Sequence, residues 1–461
     1  AHQLRRRLKL LVNLRGDLMF KTLANAFKVK EIRNRIIFTF IMLIVVRIGS
    51  ILPIPGINRD QLASIFQGDG SALANAFTGG ALLQMSVFAL SITPYITSSI
   101  IVQLLTIAIP KLEEMQKDGE DGRKKIQTIT RFVTVALALI ESIAMVVGFG
   151  KSGLIEGYST MAALERVRVS VMIVAILTAG STLLMWLGER ITERGVGNGI
   201  SIILVINIVS RLPEDFVALY KSFVKGQSVL NATIAIVVIL AVVVGTILFT
   251  VLLCGGERRI PVQYSKKVQG RRTYGGNSSN IPLKVNTAGV IPVIFAQSLM
   301  TFPLIIMQIV KPNFDYSSVG GKIIRALSSN NWFNRNNMIL TLGVILYIVL
   351  IVFFAYFYTS LTFNPLEIAN NMKKSGGFIP GIRPGKATSD YLTKILNRII
   401  FIGAIGLTVV ALIPVVFSGL FNANVSFGGT SIIIIVGVIL ETIRQIESQM
   451  VVRDYKGFLN E

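Results

Sequence analysis

Glu141 is the clearest residue in this sequence that could do chemistry inside a membrane. It is the one carboxylate deep within a long apolar stretch, residues 132–149, and burying a charge in lipid is costly enough to mark a functional candidate. Such a carboxylate could contact a gate or accept a structural hydrogen bond, and the residues leave both roles equally open. The apolar stretches contain no paired carboxylates, HExxH helix or nucleophile elbow, so the sequence does not support catalysis within the membrane.

Two pairs of aliphatic residues stand at helical spacing and could form a seal. Ile92 and Ile96 are four residues apart, as are Ile200 and Leu204, so each pair can share one face of a helix. Packing or lipid contact is the ordinary role of such a pair. A ring of aliphatic side chains could instead form a hydrophobic constriction, which impedes water and ions by dewetting.

Basic residues cluster in two long polar segments, residues 257–284 and 364–390. Basic loops interleaved with aromatic residues can bind an acidic protein surface or a phosphate backbone, through charge steering and bidentate arginine contacts. The equally weighted alternative is that these charges only orient the chain in the membrane. The first segment carries Arg258, Arg259, Lys266, Lys267, Arg271 and Arg272, and the second carries Lys373, Lys374 and Arg383.

The elements that must hold these residues are membrane-spanning helices. The chain has 461 residues, of which 52% are hydrophobic, with several uncharged runs of about twenty, the length that crosses a ~30 Å hydrocarbon core. Its net charge of +22 would suggest a nucleic-acid partner in a soluble chain, but the basic residues cluster between the apolar runs, as the positive-inside rule expects. A single cysteine, Cys254, and a single histidine, His2, argue against a disulfide or a metal site, and no cofactor is expected.

The apolar runs predict ten spans and an all-α polytopic membrane protein. The spans are residues 36–52, 87–109, 132–149, 169–187, 200–209, 232–253, 287–310, 338–358, 399–417 and 431–440. The segment before span 2 is polar and broken by Gly79 and Gly80. Irregular backbone at membrane depth is tolerated only where protein or cavity water satisfies it, so this segment suggests a cavity within the membrane. An ordinary outer loop ending in a surface helix carries equal weight.

Lysine and arginine counts orient the ten spans. The lead before span 1 and the loops 111–131, 254–284 and 362–394 are basic, whereas residues 53–86 hold one basic residue and residues 419–430 none. Both termini are therefore predicted to be cytoplasmic. A division at the loop 211–231 gives an N-terminal half, residues 19–211 with spans 1–5, and a C-terminal half, residues 212–461 with spans 6–10. Five spans per half place the halves in inverted orientation. Met19 has the context of a natural start, so residues 1–18 are expected to be an appendage.

Five long stretches of the sequence carry a recognisable pattern. They are FALSITPYITSSIIVQLL from Phe88, WLGERITERGVGNGISIIL from Trp186, GERRIPVQYSKK from Gly256, IPLKVNTAGVIPVIFAQS from Ile281 and NPLEIANNMKKSGGFIPGIRPG from Asn364. These stretches resemble, in the same order, those of the SecY family, the channel subunits of the bacterial Sec translocon. The resemblance extends from residue 19 to about residue 459, and Cys254–Gly256 has no counterpart that can be placed.

The resemblance implies a passive channel through which secretory polypeptides cross the bacterial plasma membrane and membrane-protein segments leave laterally. A central pore between the two halves would be sealed by an aliphatic ring and plugged from outside by a short helix before span 2. A lateral gate would lie between spans 2 and 3 and spans 7 and 8. By this resemblance the ring is Ile92, Ile96, Ile200, Leu204, Ile294 and Ile434. The plug, about residues 75–84, includes Asn75, Phe77, Gly79, Gly80, Leu82 and Leu83, and the polar gate residues are Thr97, Glu141 and Gln297.

The chain has no nucleotide motif and no proton relay, so its driving force must come from a partner or from the membrane potential. The resemblance implies which partners these are. SecE and SecG would be companion subunits, and SecA ATPase or a ribosome would dock on the basic loops. A signal sequence or an unfolded secretory polypeptide would be the substrate, with membrane lipids around the chain. Two rival hypotheses are a secondary transporter with inverted repeats and a basic membrane scaffold that recruits ribosomes. The docking residues implied are Arg258, Arg259, Lys266, Lys267, Arg271, Arg272 and Arg383.

Overall fold

Helices dominate the structure, a computed structural model, and five short strands stand among them. The residues it describes are 27–58, 80–82, 84–151, 153–155, 157–158, 160–223, 229–264, 267–269, 272–274, 278–310, 319–327, 332, 341–421 and 429–457. Residues 1–18, Asn75, Phe77, Gly79, Leu83, Lys266 and Arg271, which carry sequence predictions, lie outside these ranges.

The elements follow in chain order. The helices are α1 Lys30–Ile51, α2 Thr93–Ala108, α3 Pro110–Lys117, α4 Glu120–Lys151, α5 Ala163–Arg194, α6 Gly199–Phe223, α7 Val229–Gly255, α8 Ile291–Val310, α9 Val319–Leu327, α10 Leu342–Thr362, α11 Pro365–Lys374, α12 Lys386–Phe421 and α13 Gly429–Gly457. The strands are β1 Glu257–Tyr264, β2 Lys267–Gln269, β3 Arg272–Tyr274, β4 Ser278–Lys284 and β5 Gly377–Phe378.

Local sequence explains where several helices begin. Asn364 caps α11, because its side chain accepts the N–H groups of Leu366 and Glu367 at 3.2 and 3.3 Å, and Pro365 occupies the first helical position, where no N–H is needed. Asn198 caps α6 in the same way, accepting from Ile200 and Ser201. These two asparagines therefore set where α6 and α11 begin.

Six helical segments among the described residues are long and apolar enough to cross a membrane. A seventh is possible if α2 and α3, bent by 102° at their junction, count as one span. Each of the ten predicted apolar stretches overlaps a helix. The chain is thus mostly helical and multi-pass, while the count of ten spans stays a prediction. The qualifying segments are Lys30–Ile51, Glu120–Gly150, Ala163–Arg194, Leu230–Gly255, Leu342–Lys374 and Lys386–Ile413.

Span 2 begins later than predicted. The sequence predicted a helix from residue 87, but α2 starts at Thr93, and residues 84–92 form turns. Met85 and Ser91 have positive φ angles of 41° and 53°, a conformation that ends helical continuity. Pro94 then occupies the first turn of α2, where its missing N–H costs nothing. The apolar composition of residues 87–92 concealed this break.

By packing, the chain divides into two compact units. Unit 1 comprises Ala1–Phe216, Ile306–Phe314 and Val438–Glu461, and unit 2 comprises Val217–Ile305 and Asp315–Gly437. These units are defined by packing contacts, whereas the predicted halves are defined by the order of the spans along the chain. The two inverted halves therefore stay a prediction.

Unit 1 has its helices locked by short polar contacts as well as apolar packing. The hydroxyls of Ser142 on α4 and Thr178 on α5 lie 3.1 Å apart. The Val196 N–H donates to Thr39 Oγ1 of α1 at 3.1 Å. Two larger clusters of buried apolar residues form its core, one containing Leu82, Met85 and Leu177 and the other containing Phe88, Ile92 and Leu184.

Unit 2 has an aromatic core between α8 and α10, with α12 packed on α10. The rings of Phe295 and Phe354 meet edge to face at 5.5 Å, a geometry that aromatic quadrupoles favour. Tyr356 donates to the Asn397 carbonyl oxygen at 3.2 Å, joining α10 to α12.

The chain is not all-α, because the basic segment between α7 and α8 contains four of the strands. β1 pairs antiparallel with β4, with Ile260 opposite Ile281. β1 also pairs antiparallel with β5, with Tyr264 opposite Gly377, which gives a sheet of order β4-β1-β5. The physical reason is visible in the sequence, where Ile260 and Val262 alternate with exposed residues at the period of a half-buried strand.

Candidate functional site

The candidate site begins with the break that precedes α2. Two backbone hydrogen bonds of 2.9 Å tie this break to the chain after α1, one from Ile54 N–H to the Met85 oxygen and one from Val87 N–H to the Leu52 oxygen. The Val87 carbonyl packs directly against Gly180 of α5, in space that any side chain at residue 180 would fill. The break is therefore a defined structure folded onto its own unit.

Ser91 is the polar centre of this break. Its Oγ accepts a hydrogen bond from Asn207 Nδ2 of α6 at 3.2 Å, and its carbonyl oxygen accepts one from Ser181 Oγ of α5 at 3.3 Å. All three residues are 2% exposed. These three residues were not predicted from the sequence, although the amide of Asn207 inside an apolar stretch is a usable signal, since a buried amide is costly unless it is hydrogen-bonded.

The ring residues of unit 1 come together beside this break. Ile92 is 1% exposed, and it shares a cluster with Ile96 and Ile200. The Ile96 N–H donates to the Ile92 oxygen at 3.1 Å, which places the two one turn apart. Ile200 packs against Gly188 of α5. Leu204, one turn further along α6, is also buried.

The two ring residues of unit 2 also lie on packed elements. Val290 lies one turn before Ile294. Its Cγ2 atom is 2.7 Å from the position that a Cβ atom at residue 437 would occupy, so Val290 packs closely against Gly437. Gly437 follows Ile434 by three residues on α13, and Ile434 is buried. The Ile294 N–H donates to the Val290 oxygen at 3.3 Å. Each unit therefore gathers its own ring residues, and their role as a seal stays a prediction.

The end of the predicted plug is anchored in unit 1. Gly80 has a φ of 84°, which suits glycine, and Leu82 is 7% exposed in a cluster with Ile54 and Met85. The Ser86 N–H donates to the Ala81 oxygen at 3.0 Å. This end of the segment is held by both apolar contact and hydrogen bonding.

The three predicted gate residues fall in both units. Thr97 on α2 and Glu141 on α4 belong to helices that pack against each other in unit 1, and Glu141 is half-buried. Thr97 Oγ1 donates to the Thr93 carbonyl of its own helix at 3.1 Å. Gln297 is a buried residue of unit 2. Their role as gate contacts stays a prediction.

The two basic segments form one loop module, which consists of the β4-β1-β5 sheet, α11 and the start of α12. The inward-facing Ile260 and Val262 of β1 pack with Met372 of α11 and Leu392 of α12. The β1–β5 pairing brings the second basic segment onto the first. The sequence predicted two separate loops, because strand pairing between residues so far apart in the chain leaves no local signal.

The loop module exposes much of its positive charge. Arg258, Arg259 and Arg383 are exposed, and Arg259 Nε donates to the Glu257 carboxylate at 2.8 Å. Lys267 and Arg272 lie in the antiparallel pair β2–β3. An exposed ion pair like Arg259–Glu257 adds little stability, so the side chains of Arg258, Arg259 and Arg383 remain accessible at the surface.

One ion pair with a buried carboxylate was not predicted from the sequence. Glu189 of α5 is nearly fully buried, and Arg131 Nε of α4 donates to its Oε1 at 2.8 Å. Gln127 Nε2 donates to the same oxygen at 3.1 Å. These bonds tie one end of α4 to α5, because a buried carboxylate stripped of its partner would be strongly destabilising.

Within the described ranges, no group of three or more His, Cys, Asp or Glu residues is placed to hold a metal ion.

Comparisons with known proteins agree on one family. A family model described as SecY matches residues 86–443. The protein translocase subunit SecY of Streptomyces coelicolor is 44% identical over 453 residues, covering 96% of this chain and 100% of that relative. The same subunit of Halalkalibacterium halodurans is 43% identical over 452 residues, with the same coverage.

Solved channels share the fold. A SecY protein, whose plug domain is described as stabilising the closed state of the translocation channel and maintaining a membrane seal, superposes with a TM-score of 0.61. Its identity is 19%, and the match covers 91% of this chain and 92% of that chain. Sec61 in a canine ribosome–channel complex from the endoplasmic reticulum gives a TM-score of 0.57 at 17% identity, covering 91% and 93%. At such identities the likeness concerns the fold alone.

Proposed function

The chain belongs to the SecY family, and from this membership we propose that it is a passive protein-conducting channel. It lets secretory polypeptides cross the bacterial plasma membrane and lets membrane-protein segments leave laterally into lipid. The observation that carries this function is the near-full-length match to bacterial protein translocase subunits at 44% identity. The channel is not an enzyme, and its driving force comes from a partner motor, a ribosome or the membrane potential.

The proposed topology has ten spans in two inverted halves, with both termini in the cytoplasm. An even number of spans returns the chain to the side on which it began. The packing of Ile32, near the start of α1, with Ile446, in the last part of α13, supports this arrangement, since both belong to one buried cluster of unit 1. The basic character of the loop module supports its cytoplasmic side.

The proposed pore is closed by the aliphatic ring and by the plug. The burial of Ile92 and its clustering with Ile96 and Ile200 support the ring, because a dry aliphatic constriction resists wetting. The defined break before α2 supports the plug, since it gives the chain a non-helical connection at membrane depth. Thr97, Glu141 and Gln297 would be the polar contacts of the lateral gate that a signal sequence enters.

The loop module is the proposed docking surface for SecA or a ribosome. Its exposed Arg258, Arg259 and Arg383 support this role, because exposed arginines give electrostatic steering and bidentate contacts. The solved Sec61 relative is described in complex with a ribosome. SecE and SecG are the proposed companion subunits within the membrane.

Reconstitution tests the function. The chain with SecE and SecG in proteoliposomes, supplied with SecA, ATP and a secretory precursor, should make the precursor resistant to added protease. Omitting SecA or ATP is the control and should abolish protection. Saturable uptake of a small solute without precursor protection would favour a secondary transporter. Ribosome binding without translocation would favour a scaffold.

A further inference from the structure

A buried hydrogen bond joins the two segments of unit 1 that carry predicted ring residues. Asn207 on α6 donates to Ser91, and Ser91 directly precedes Ile92. Both residues are 2% exposed, so neither water nor lipid competes for the bond. The bond therefore connects the segment of Ile92 with the helix of Ile200 and Leu204.

The backbone of Ser91 makes the position of Ile92 depend on this contact. Its φ of 53° is uncommon for a residue other than glycine and persists only where surrounding contacts hold it. The Ser91 N–H donates to the Phe88 oxygen at 2.8 Å. Ile92 follows immediately and precedes the first residue of α2, so a change in the Ser91 backbone moves Ile92.

Asn207 stands on the ring-bearing face of α6. It follows Ile200 by seven residues and Leu204 by three, and such positions share one side of a helix. Packing alone does not call for an amide here, because an apolar side chain of similar volume would fill the space without the cost of burying polar atoms. A hydrogen bond is short and directional, whereas two apolar surfaces can shift along each other without losing contact. The amide of Asn207 therefore fixes the distance between α6 and the segment that contains Ser91.

We propose that the Asn207–Ser91 hydrogen bond is the spacer that sets the resting distance of Ile92 from Ile200 and Leu204. Asn207 and Ser91 are positioning residues, which act on the constriction through the ring residues beside them. The proposal rests on the proposed channel function and adds a determinant of how tightly the channel closes.

The test uses the complete complex in planar bilayers. Asn207→Leu keeps a similar volume and removes the donor, and Ser91→Gly removes the acceptor while suiting the left-handed backbone. Each should raise the resting conductance by about fivefold, the factor that corresponds to the net contribution of one hydrogen bond. In the double variant the effects should not add, because both substitutions remove the same bond.

Ser142→Ala is the matched control. It removes a partly buried hydroxyl contact of 3.1 Å between α4 and α5, two helices that carry no ring residue. The resting conductance of Ser142→Ala should equal that of the parent, although its unfolding temperature should fall by about as much as that of Asn207→Leu. Equal leakage from Ser142→Ala and Asn207→Leu would overturn the spacer, since the bond would then only stabilise the fold.

The other outcomes separate the spacer from the channel itself. If Ile92→Asn leaks while Asn207→Leu and Ser91→Gly stay silent, the spacer is wrong and the proposed function stands. If Ile92→Asn is silent as well, the pore assignment fails and the spacer fails with it. If Asn207→Leu does not fold, Ser91→Gly decides alone, because it relieves backbone strain.

Discussion

At the scale of single residues, the ring side chains of unit 1 are held by different means. Ile92 depends on the backbone turn at Ser91, whereas Ile200 depends on the absence of a side chain at Gly188, which it contacts directly. In the proposed constriction, an apolar surface would be formed by side chains whose positions are fixed by neighbouring residues. The seal that it would provide should therefore be sensitive to the polarity of the ring side chains.

The first prediction concerns that polarity. Replacing Ile92 and Ile200 with Asn should admit water, because a polar ring no longer dewets the constriction. Resting ion leakage should rise, and precursors with weak signal sequences should pass more easily. Single-channel recording and translocation of a signal-sequence variant measure the two effects.

The control is a buried isoleucine outside the predicted ring. Ile173 is fully buried in the other cluster of unit 1, so Ile173→Asn should lower stability without adding conductance. If the ring variants behave like Ile173→Asn, these residues are ordinary core.

At the scale of elements, the loop module turns two basic segments into one surface. The β1–β5 pairing and the shared core of Ile260, Val262 and Met372 hold the exposed arginines on a folded support. A partner therefore meets charges whose backbone is already ordered, so less conformational entropy is lost on binding.

The second prediction is that Arg383 serves docking. Arg383→Glu should leave membrane insertion intact, because Lys373, Lys374 and Lys386 still hold the loop on its side. SecA-dependent translocation and SecA affinity should fall. Lys124→Glu, the same charge reversal on the exposed start of α4, should leave both unchanged. Unaltered SecA binding in Arg383→Glu would contradict the docking role.

The third prediction concerns the plug. Deleting residues 75–84 should give a folded channel that leaks and flickers yet still transports, as planar-bilayer recording would reveal. The deletion also removes the buried Leu82, at a cost of about 2–5 kcal/mol. Leu177→Ala is the control, because it removes a buried leucine from the same cluster but keeps the segment, and it should stay silent at rest. A deletion variant as silent as the parent would exclude a plug.

The helices were largely predictable from sequence, and the loops were not. Long apolar runs specify helices because backbone hydrogen bonds must be satisfied internally in lipid. Strand β5 has only two residues, and its existence depends on a partner strand far away in the chain. The break at Ser91 was hidden because residues 87–92 are apolar enough for a helix. Only packing against Gly180 and bonding to Asn207 reveal it.

The site was predictable to a similar degree. The clustering of Ile92, Ile96 and Ile200 follows from helical spacing together with family resemblance. The Arg131–Glu189 pair could not be foreseen, because Glu189 lies just beyond the predicted end of span 4 and its partner is distant in sequence. Charged residues at span ends usually face solvent, and composition does not reveal which of them are buried.

At the scale of the whole molecule, the two ends of the described chain belong to the same unit. Ile32 and Ile36 of α1 pack with Val196 and with Ile446 of α13. The last helix thus returns to the cluster formed by the first. This closure agrees with an even number of crossings and with both termini on one side.

The fourth prediction tests that topology by cysteine labelling. Cys254→Ser removes the single cysteine, after which Lys28→Cys, Ser448→Cys and Thr160→Cys can be made one at a time at exposed positions. A membrane-impermeant maleimide should label only Thr160→Cys in intact spheroplasts. The other two should react only after lysis, when both faces are accessible. Labelling of Lys28→Cys or Ser448→Cys from outside would contradict cytoplasmic termini.

The pairing of β1 with β5 also has a consequence for biogenesis. Tyr264 and Gly377 lie more than a hundred residues apart in the chain, and α8 to α11 intervene. Such non-local contacts form slowly and only once both partners exist. During synthesis β1 emerges long before β5, so the proposed docking surface cannot be complete until most of the chain has been made and inserted. We therefore expect a half-made subunit to be unable to engage a motor, which delays traffic through the channel until its own assembly is nearly finished.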